Sequence, residues 1–305
     1  LVRFLLRRAL QSIFVLIGVS VLVFVLMRLT GDPTFLLLPP DASREQVDDL
    51  RAHLGLDEPI PIQYLHYLKN VLRGDFGDSF RTGQPAMQLV LDRVPATLAL
   101  AGVALLITLV ISFPIGIASA RYRNTWIDDI GRVISLIGQA VPSFWLGIML
   151  ILLFAVRLQW LPPFGAGSPK HLILPGITLG AYSAAILSRL LRSSLLEVLG
   201  SDYIRTARAK GIDERSVLFR HALRNASLPV VTMIGLQIGV LFGGSVITEY
   251  VFAYPGMGRL VLQAIGNRDF AVVQAFVILV TMMILAVNIL VDLLYVLLDP
   301  RVEIH

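Results

Sequence analysis

The sequence predicts an all-α membrane protein with six transmembrane helices. Three observations predict it. Apolar residues make up 56% of the 305-residue chain and charged residues only 15%, where soluble domains carry about one quarter charged. The mean hydropathy is +0.76. Six stretches then reach the roughly 20 mostly apolar residues that a helix needs to cross the hydrocarbon core: 9–29, 95–120, 133–156, 172–191, 229–250 and 272–298.

The first stretch follows Arg3, Arg7 and Arg8, as a signal peptide would. Its apolar run is too long for a signal h-region, and Arg28-Leu29-Thr30-Gly31-Asp32-Pro33 is not a small-residue cleavage site, so it reads as a retained span. The acidic 30–94 segment that follows predicts two short helices. Ser43 with Gln46 fits a capping box, Val47, Leu50 and Leu54 share a face, and Gly55 ends the run. A second amphipathic stretch, 61–73, puts Ile62, Leu65, Leu68 and Leu72 on one side and closes at Gly74. Both helices read as lying on the membrane surface, with a docking surface for a substrate protein as the functional alternative. Span 272–298 is longer than crossing requires, so it tilts or extends past the bilayer. Pro114, Pro142 and Pro175 interrupt three spans and mark kinks, because neighbouring helices can satisfy the freed carbonyls. The chain thus divides into 1–93, a first span plus its loop, and 94–298, a transmembrane domain holding the loop 192–228.

Orientation follows from the basic residues of the short loops. Arg3, Arg7 and Arg8 precede span one, and Arg121, Arg123 and Arg132 lie between spans two and three. Arg189, Arg192, Arg205, Arg208, Lys210, Arg215, Arg220 and Arg224 crowd the segment between spans four and five. The positive-inside rule places these segments, and with them both termini, in the cytoplasm. These basic residues flank apolar spans and no aromatic stacking surface accompanies them. The pI near 9.7 therefore signals the bilayer as partner and not nucleic acid.

The chain lacks cysteine, which removes disulfides, thiolate metal sites and cysteine nucleophiles together. A phosphate-binding loop needs Lys followed by Ser or Thr. Lys69, Lys170 and Lys210 are followed by Asn70, His171 and Gly211, so no Walker motif exists. His53, His66, His171, His221 and His305 all fall in loops or tails, leaving Ser245 without an intramembrane base, and there is no His-Glu-x-x-His zinc helix. No catalytic residue, metal site or cofactor is expected in this chain. The ionisable groups within or at the ends of spans are Arg28, Glu249 and Asp292. Two separated carboxylates make a poor proton relay, and Asp292 reads as an interhelical hydrogen-bonding group. Gln139, Ser143, Tyr182, Thr232, Gln237 and Glu249 are candidate path residues, with Thr178 and Ser183 beside them; ordinary helix–helix hydrogen bonding is the alternative.

The segment after span four carries the most information. It reads Asp202-Tyr203-Ile204-Arg205-Thr206-Ala207-Arg208-Ala209-Lys210-Gly211, then Arg220-His221-Ala222-Leu223-Arg224-Asn225, then Pro229. Asp202 suits a helix N-terminus and Gly211 the left-handed residue that ends one. Between them Tyr203, Ile204 and Ala207 share an apolar face while Arg205 and Arg208 project elsewhere. The bland alternative is a basic helix resting on anionic headgroups.

This segment resembles the EAA loop of ABC importer permeases, in the form found in the peptide/nickel permease family. Gly31-Asp32-Pro33, Gly74-Asp75-Phe76-Gly77 with Ser79, Trp160-Leu161-Pro162, the run Glu249 to Gly258, Asn267-Arg268-Asp269-Phe270, Val291-Asp292 and Asp299-Pro300 are similar to that family in the same order, nearest its dipeptide and glutathione permeases. The Glu-Ala-Ala of the general pattern corresponds here to Arg205-Thr206-Ala207, and the gap from Gly211 to Pro229 exceeds that of sugar permeases; both narrow the family to its peptide branch. The resemblance implies a type I ABC importer transmembrane domain in a bacterial inner membrane. It implies ATPase coupling through Asp202, Tyr203, Arg205, Ala207, Arg208, Lys210, Gly211, Arg220, His221, Arg224 and Asn225. The implied partners are two ABC ATPase subunits, which carry the ATP and Mg, a second similar but distinct permease, and an extracytoplasmic substrate-binding protein. The implied cargo is di- or oligopeptides, with nickel chelates, glutathione or another small solute as alternatives. A self-sufficient channel or ion-driven carrier is the contrasting class.

Overall fold

A computed structural model describes residues 2–30, 34, 43–53 and 55–298. Gly31-Asp32-Pro33, Leu54 and Asp299-Pro300 lie outside the described residues. Helices dominate: α1 (Val2–Thr30), α2 (Arg44–His53), α3 (Ile60–Leu72), α4 (Ala86–Leu91), α5 (Val94–Arg121), α6 (Trp126–Ala140), α7 (Ser143–Leu150), α8 (Ile173–Leu199), α9 (Asp202–Ala209), α10 (Glu214–Ser216), α11 (Leu223–Ala226), α12 (Leu228–Val251), α13 (Met257–Gly266) and α14 (Phe270–Leu298). Short π-helical turns, Ile151–Arg157 and Val217–Ala222, extend α7 and join α10 to α11.

Among the described residues five helices are long and apolar enough to cross a bilayer, and the bent pair α6 and α7 brings the count to six where it is taken as one broken span. The span expected over 133–156 is broken at Pro142, where the sequence marks a kink, and only its start is corrected here. Its helix begins earlier, at Trp126, and α6 and α7 meet at a bend of 106°. The cause is local. Val141 is extended (φ −78, ψ 124), as the residue before a proline is driven to be, and Pro142 has no N–H to continue the ladder. Pro114 behaves otherwise and stays inside an unbroken α5, while Pro175 falls in the first turn of α8, where its missing donor is not needed.

The chain packs as two units. The first takes the residues up to Pro95 together with Leu260–Ala286. In it the expected capping box forms: Ser43 N–H donates to Gln46 Oε1 (2.9 Å) and Gln46 N–H to Ser43 Oγ (3.3 Å). Helix α3 uses a face other than its leucines for packing. Tyr64 and Tyr67 stack about Phe24 of α1 with ring centroids 5.4 and 5.7 Å away, and Gln63 is buried beside them. Ile62, Leu65 and Leu72 remain exposed, the disposition that a surface helix offers to lipid. Ser79 Oγ donates to Asp269 Oδ2 at 2.5 Å, a contact between residues 190 positions apart.

The second unit takes Ala96–Arg259 and the stretch from Val287. It holds two cores. One gathers Leu100, Ala104, Ile151, Leu174, Leu179, Leu241, Phe252 and Tyr254. The other gathers Leu187, Leu191, Leu195, Ile204, Ala207, Val217, Leu218, Ala222, Ala226 and Val230, and so welds α9, the π-helical turn and α11 onto the end of α8.

Candidate functional site

The 202–226 segment is built on α8. That helix runs unbroken for 27 residues and turns at Gly200–Ser201 into α9. Asp202 occupies the first turn of α9, where a carboxylate favours the helix dipole, although its side chain makes no capping bond; the N-cap position is Ser201. Ile204 (0% exposed) and Ala207 point into the second core. Tyr203 does not share that buried face, as the sequence had suggested. It stands 44% exposed, and its hydroxyl accepts a 2.8 Å bond from Asn225 Nδ2, so the polar tip stays at the surface while tying α9 to α11.

The stop after α9 is a Schellman arrangement. Gly211 N–H donates to the Arg208 carbonyl (2.9 Å) and Ile212 N–H to the Ala207 carbonyl (3.3 Å), with Gly211 at φ +76. A side chain at that φ would be strained although the space around it is open. Arg208 then forms a fork to Glu214 (2.7 and 3.3 Å), which holds the Glu214 carboxyl below its ordinary range. Asp213 caps α10 by accepting from Ser216 N–H at 3.1 Å. Asp202, Tyr203, Arg205, Arg208, Lys210, Gly211, Arg220, Arg224 and Asn225 all remain exposed, His221 is half-buried and Ala207 is buried. The outcome is a short helix locked to a long one, presenting a basic face that nothing among the described residues covers. Phe219, in the π-helical turn of the same segment, is an exposed aromatic (54%) that the sequence reading did not single out.

A cavity of about 290 Å³ opens at the α6–α7 break, lined by Gln139, Val141, Pro142, Ser143, Thr178, Tyr182, Ser183, Val240 and Gly244. No charged side chain lines it. Gln139, Ser143 and Tyr182 are therefore brought together, and Gln237 is tied to the cavity wall through a 3.2 Å bond from Ser183. Thr232 and Glu249 are not among the lining residues. Thr232 is half-buried and bonds the Leu228 carbonyl of its own helix. Glu249 is fully buried and serves as a hub. It accepts from Thr97 Oγ1 (2.7 Å) and from the backbone N–H groups of Gly258 (2.7 Å) and Arg259 (3.1 Å). Thr97 Oγ1 in turn accepts from Met257 N–H at 2.9 Å. Gly256 makes room for this, since a Cβ there would run into the Glu249 carboxyl group, while a Cβ on Gly258 would run into Val246 of the same helix as Glu249.

Sequence reasoning missed the α6–α8 contacts altogether. Asp128, fully buried, pairs with Arg192, Ser135 with Ser188, and Gln139 with Arg189. The available signal was the 128, 135, 139 spacing of polar residues on one helical face.

Fold and site together define a multi-pass helical membrane protein with an uncharged cavity at the α6–α7 break and an exposed basic segment over 202–225. Two family models match the chain: "Binding-protein-dependent transport system inner membrane component" over residues 112–304 and its N-terminal counterpart over residues 1–101. The chain belongs to the family of binding-protein-dependent transport system inner membrane components, and is a permease subunit of an ABC importer in the inner membrane. It is 42% identical over 304 residues to the glutathione transport system permease protein GsiC of Salmonella choleraesuis, covering 99% of each chain. It is 40% identical to the dipeptide transport system permease protein DppB of Alkalihalophilus pseudofirmus, covering 97% of this chain and 98% of that one. An inward-facing MetNI methionine ABC transporter shares the fold, with a TM-score of 0.59 at 21% identity, covering 70% of this chain and 97% of that one. Membership implies separate ATPase and substrate-binding subunits as partners.

Proposed function

We propose that this permease passes short peptides inward, glutathione and dipeptides being the class its relatives are named for. The observation that carries the reading is the α9 helix, exposed on its polar face and welded on its apolar face to α8. A partner ATPase that grips the exposed face moves α8 with it, because Ile204 and Ala207 cannot leave the core without exposing apolar surface. Two ATPases closing on ATP and Mg supply the stroke. The ligand at the distant site thus biases a two-state element, which is the content of a coupling claim. With the basic residues of 189–224 inside, both termini are cytoplasmic and the 43–94 segment faces the binding protein.

A second, similar but distinct permease completes the channel. The uncharged lining at Gln139, Ser143 and Tyr182 offers peptides neutral hydrogen-bonding groups without a fixed charge that would hold them.

The test is uptake of labelled dipeptide and glutathione into proteoliposomes holding the complete complex. Gly211→Asp, and separately deletion of 206–210, should abolish ATP-driven uptake while leaving membrane insertion intact. Normal uptake by either variant, or flux through the purified chain alone, would overturn the reading.

A further inference from the structure

The docking role of α9 does not account for an aspartate sealed inside the second unit. Asp128 on α6 has 0% exposure. Arg192 on α8 holds it by two parallel bonds, Nε to Oδ1 at 2.7 Å and Nη2 to Oδ2 at 2.8 Å. The backbone N–H of Asn124 adds 3.2 Å to Oδ2, and Arg132 Nε lies 3.7 Å from Oδ1. Such a fork fixes direction as well as distance. A buried charge parted from its partner is heavily penalised, so the two helices cannot slide here. Two more rungs continue the contact along the same pair of helices: Ser135 Oγ lies 2.9 Å from Ser188 Oγ, and Gln139 Oε1 accepts from Arg189 Nη1 at 3.0 Å. Between them Gly138 lets the backbones close up, a Cβ there meeting that of Ala185 at 3.0 Å.

The ends of this ladder matter. Towards α9, the buried Leu191 and Leu195 of α8 share one core with Ile204 and Ala207. At the other end α6 stops at Ala140, and Gln139, Val141 and Pro142 form part of the cavity wall before α7 departs at 106°. We propose that the Asp128–Arg192 fork and the two rungs beyond it make α6 and α8 one rigid rod, which delivers displacement of the 202–209 helix to the Val141–Pro142 break and so reshapes the cavity. Asp128 and Arg192 are positioning residues in this scheme. The inference rests on the proposed docking of an ATPase on α9.

The experiment uses the complete transporter, with its ATPases and binding protein, in proteoliposomes, and reads ATP hydrolysed per dipeptide taken up. Asp128→Asn keeps the shape and removes the charge of the fork. It should leave ATP hydrolysis within about twofold of the parent while uptake falls at least tenfold. Hydrolysis and uptake falling together, or uptake unchanged, would overturn the proposal. The chain's lack of cysteine permits a second measurement. The paired substitutions Ser135→Cys and Ser188→Cys, oxidised to a disulfide, bolt α6 to α8. A rigid rod predicts full transport with the bolt closed and recovery of coupling when the bolt is added to Asp128→Asn. Transport lost on oxidation and regained on reduction would show that the helices slide during the cycle and would sink the idea. If the parent complex itself takes up dipeptide without ATP, the docking reading fails instead, whatever the variants do.

Discussion

Replacing Glu249 tests how the turn after α12 is held. The side chain accepts three hydrogen bonds, from Thr97 Oγ1, Gly258 N–H and Arg259 N–H, and is fully buried. At about 1 kcal/mol net per bond, Glu249→Ala should destabilise the chain by about 3 kcal/mol, and more if the stranded donors find no water. Glu249→Gln is milder. With its carbonyl turned to Gly258 and Arg259 it keeps two bonds and loses the one from Thr97, so about 1 kcal/mol is at stake. Thermal unfolding of the detergent-purified chain, followed by tryptophan fluorescence, should give the order wild type, Gln, Ala. By the scaling of chains of this size, the alanine variant should melt on the order of 5–10 °C below wild type. An alanine variant that melts with the wild type would refute the hub. A glutamine variant as damaged as alanine would place the stabilisation in the charge and not in acceptor geometry.

Ser79→Ala removes the donor to Asp269 Oδ2 in a carboxylate whose other oxygen already lacks a partner among the described residues; the loss should be about 1–3 kcal/mol. Ser79 Oγ also accepts from the N–H groups of Arg81 and Thr82, so those two amides should exchange faster with deuterium, and unchanged exchange would contradict the contact. Tyr67 is pushed up to about 12 by burial and then by Tyr64. Its raised value means that the neutral phenol is favoured in the fold. The contribution is complete below the ordinary tyrosine range near 10 and is lost as pH rises from about 10 to about 12. Burial also raises Tyr254, so absorbance titration should find more than one phenol ionising late, and Tyr67→Phe should reduce that late amplitude by one phenol; an undiminished late step would assign it elsewhere.

The parts of this protein visible in its sequence are those set by neighbours along the chain. Hydropathy located the spans because each helix satisfies its own backbone, whatever surrounds it. The Ser43–Gln46 box and the left-handed Gly211 were readable for the same reason: both are closed within three to five residues. Pro142 and Pro114 mark where that reach ends. Both are prolines in apolar runs, yet α5 continues through Pro114 while the chain breaks at Pro142, where Val141 turns extended. In α3 the leucine spacing named the face that stays exposed, as on a helix lying at a membrane surface, but it gave no sign that Tyr64 and Tyr67 take the contact with Phe24.

The candidate site divides in the same way. The docking helix was legible from a run of ten residues, with Tyr203 misplaced because its partner Asn225 lies 22 positions away. The Asp128–Arg192, Thr97–Glu249 and Ser79–Asp269 pairs join residues 64, 152 and 190 positions apart, and only the first leaves a local trace, the 128, 135, 139 spacing on one helical face. By itself the sequence determined that the chain spans a membrane, carries no Walker motif and holds a short basic helix after span four. Only the tertiary structure decided which polar residues are sealed away as braces and which face the cavity. A buried charge is tolerable solely where a partner from another helix meets it, and folding alone brings that partner there.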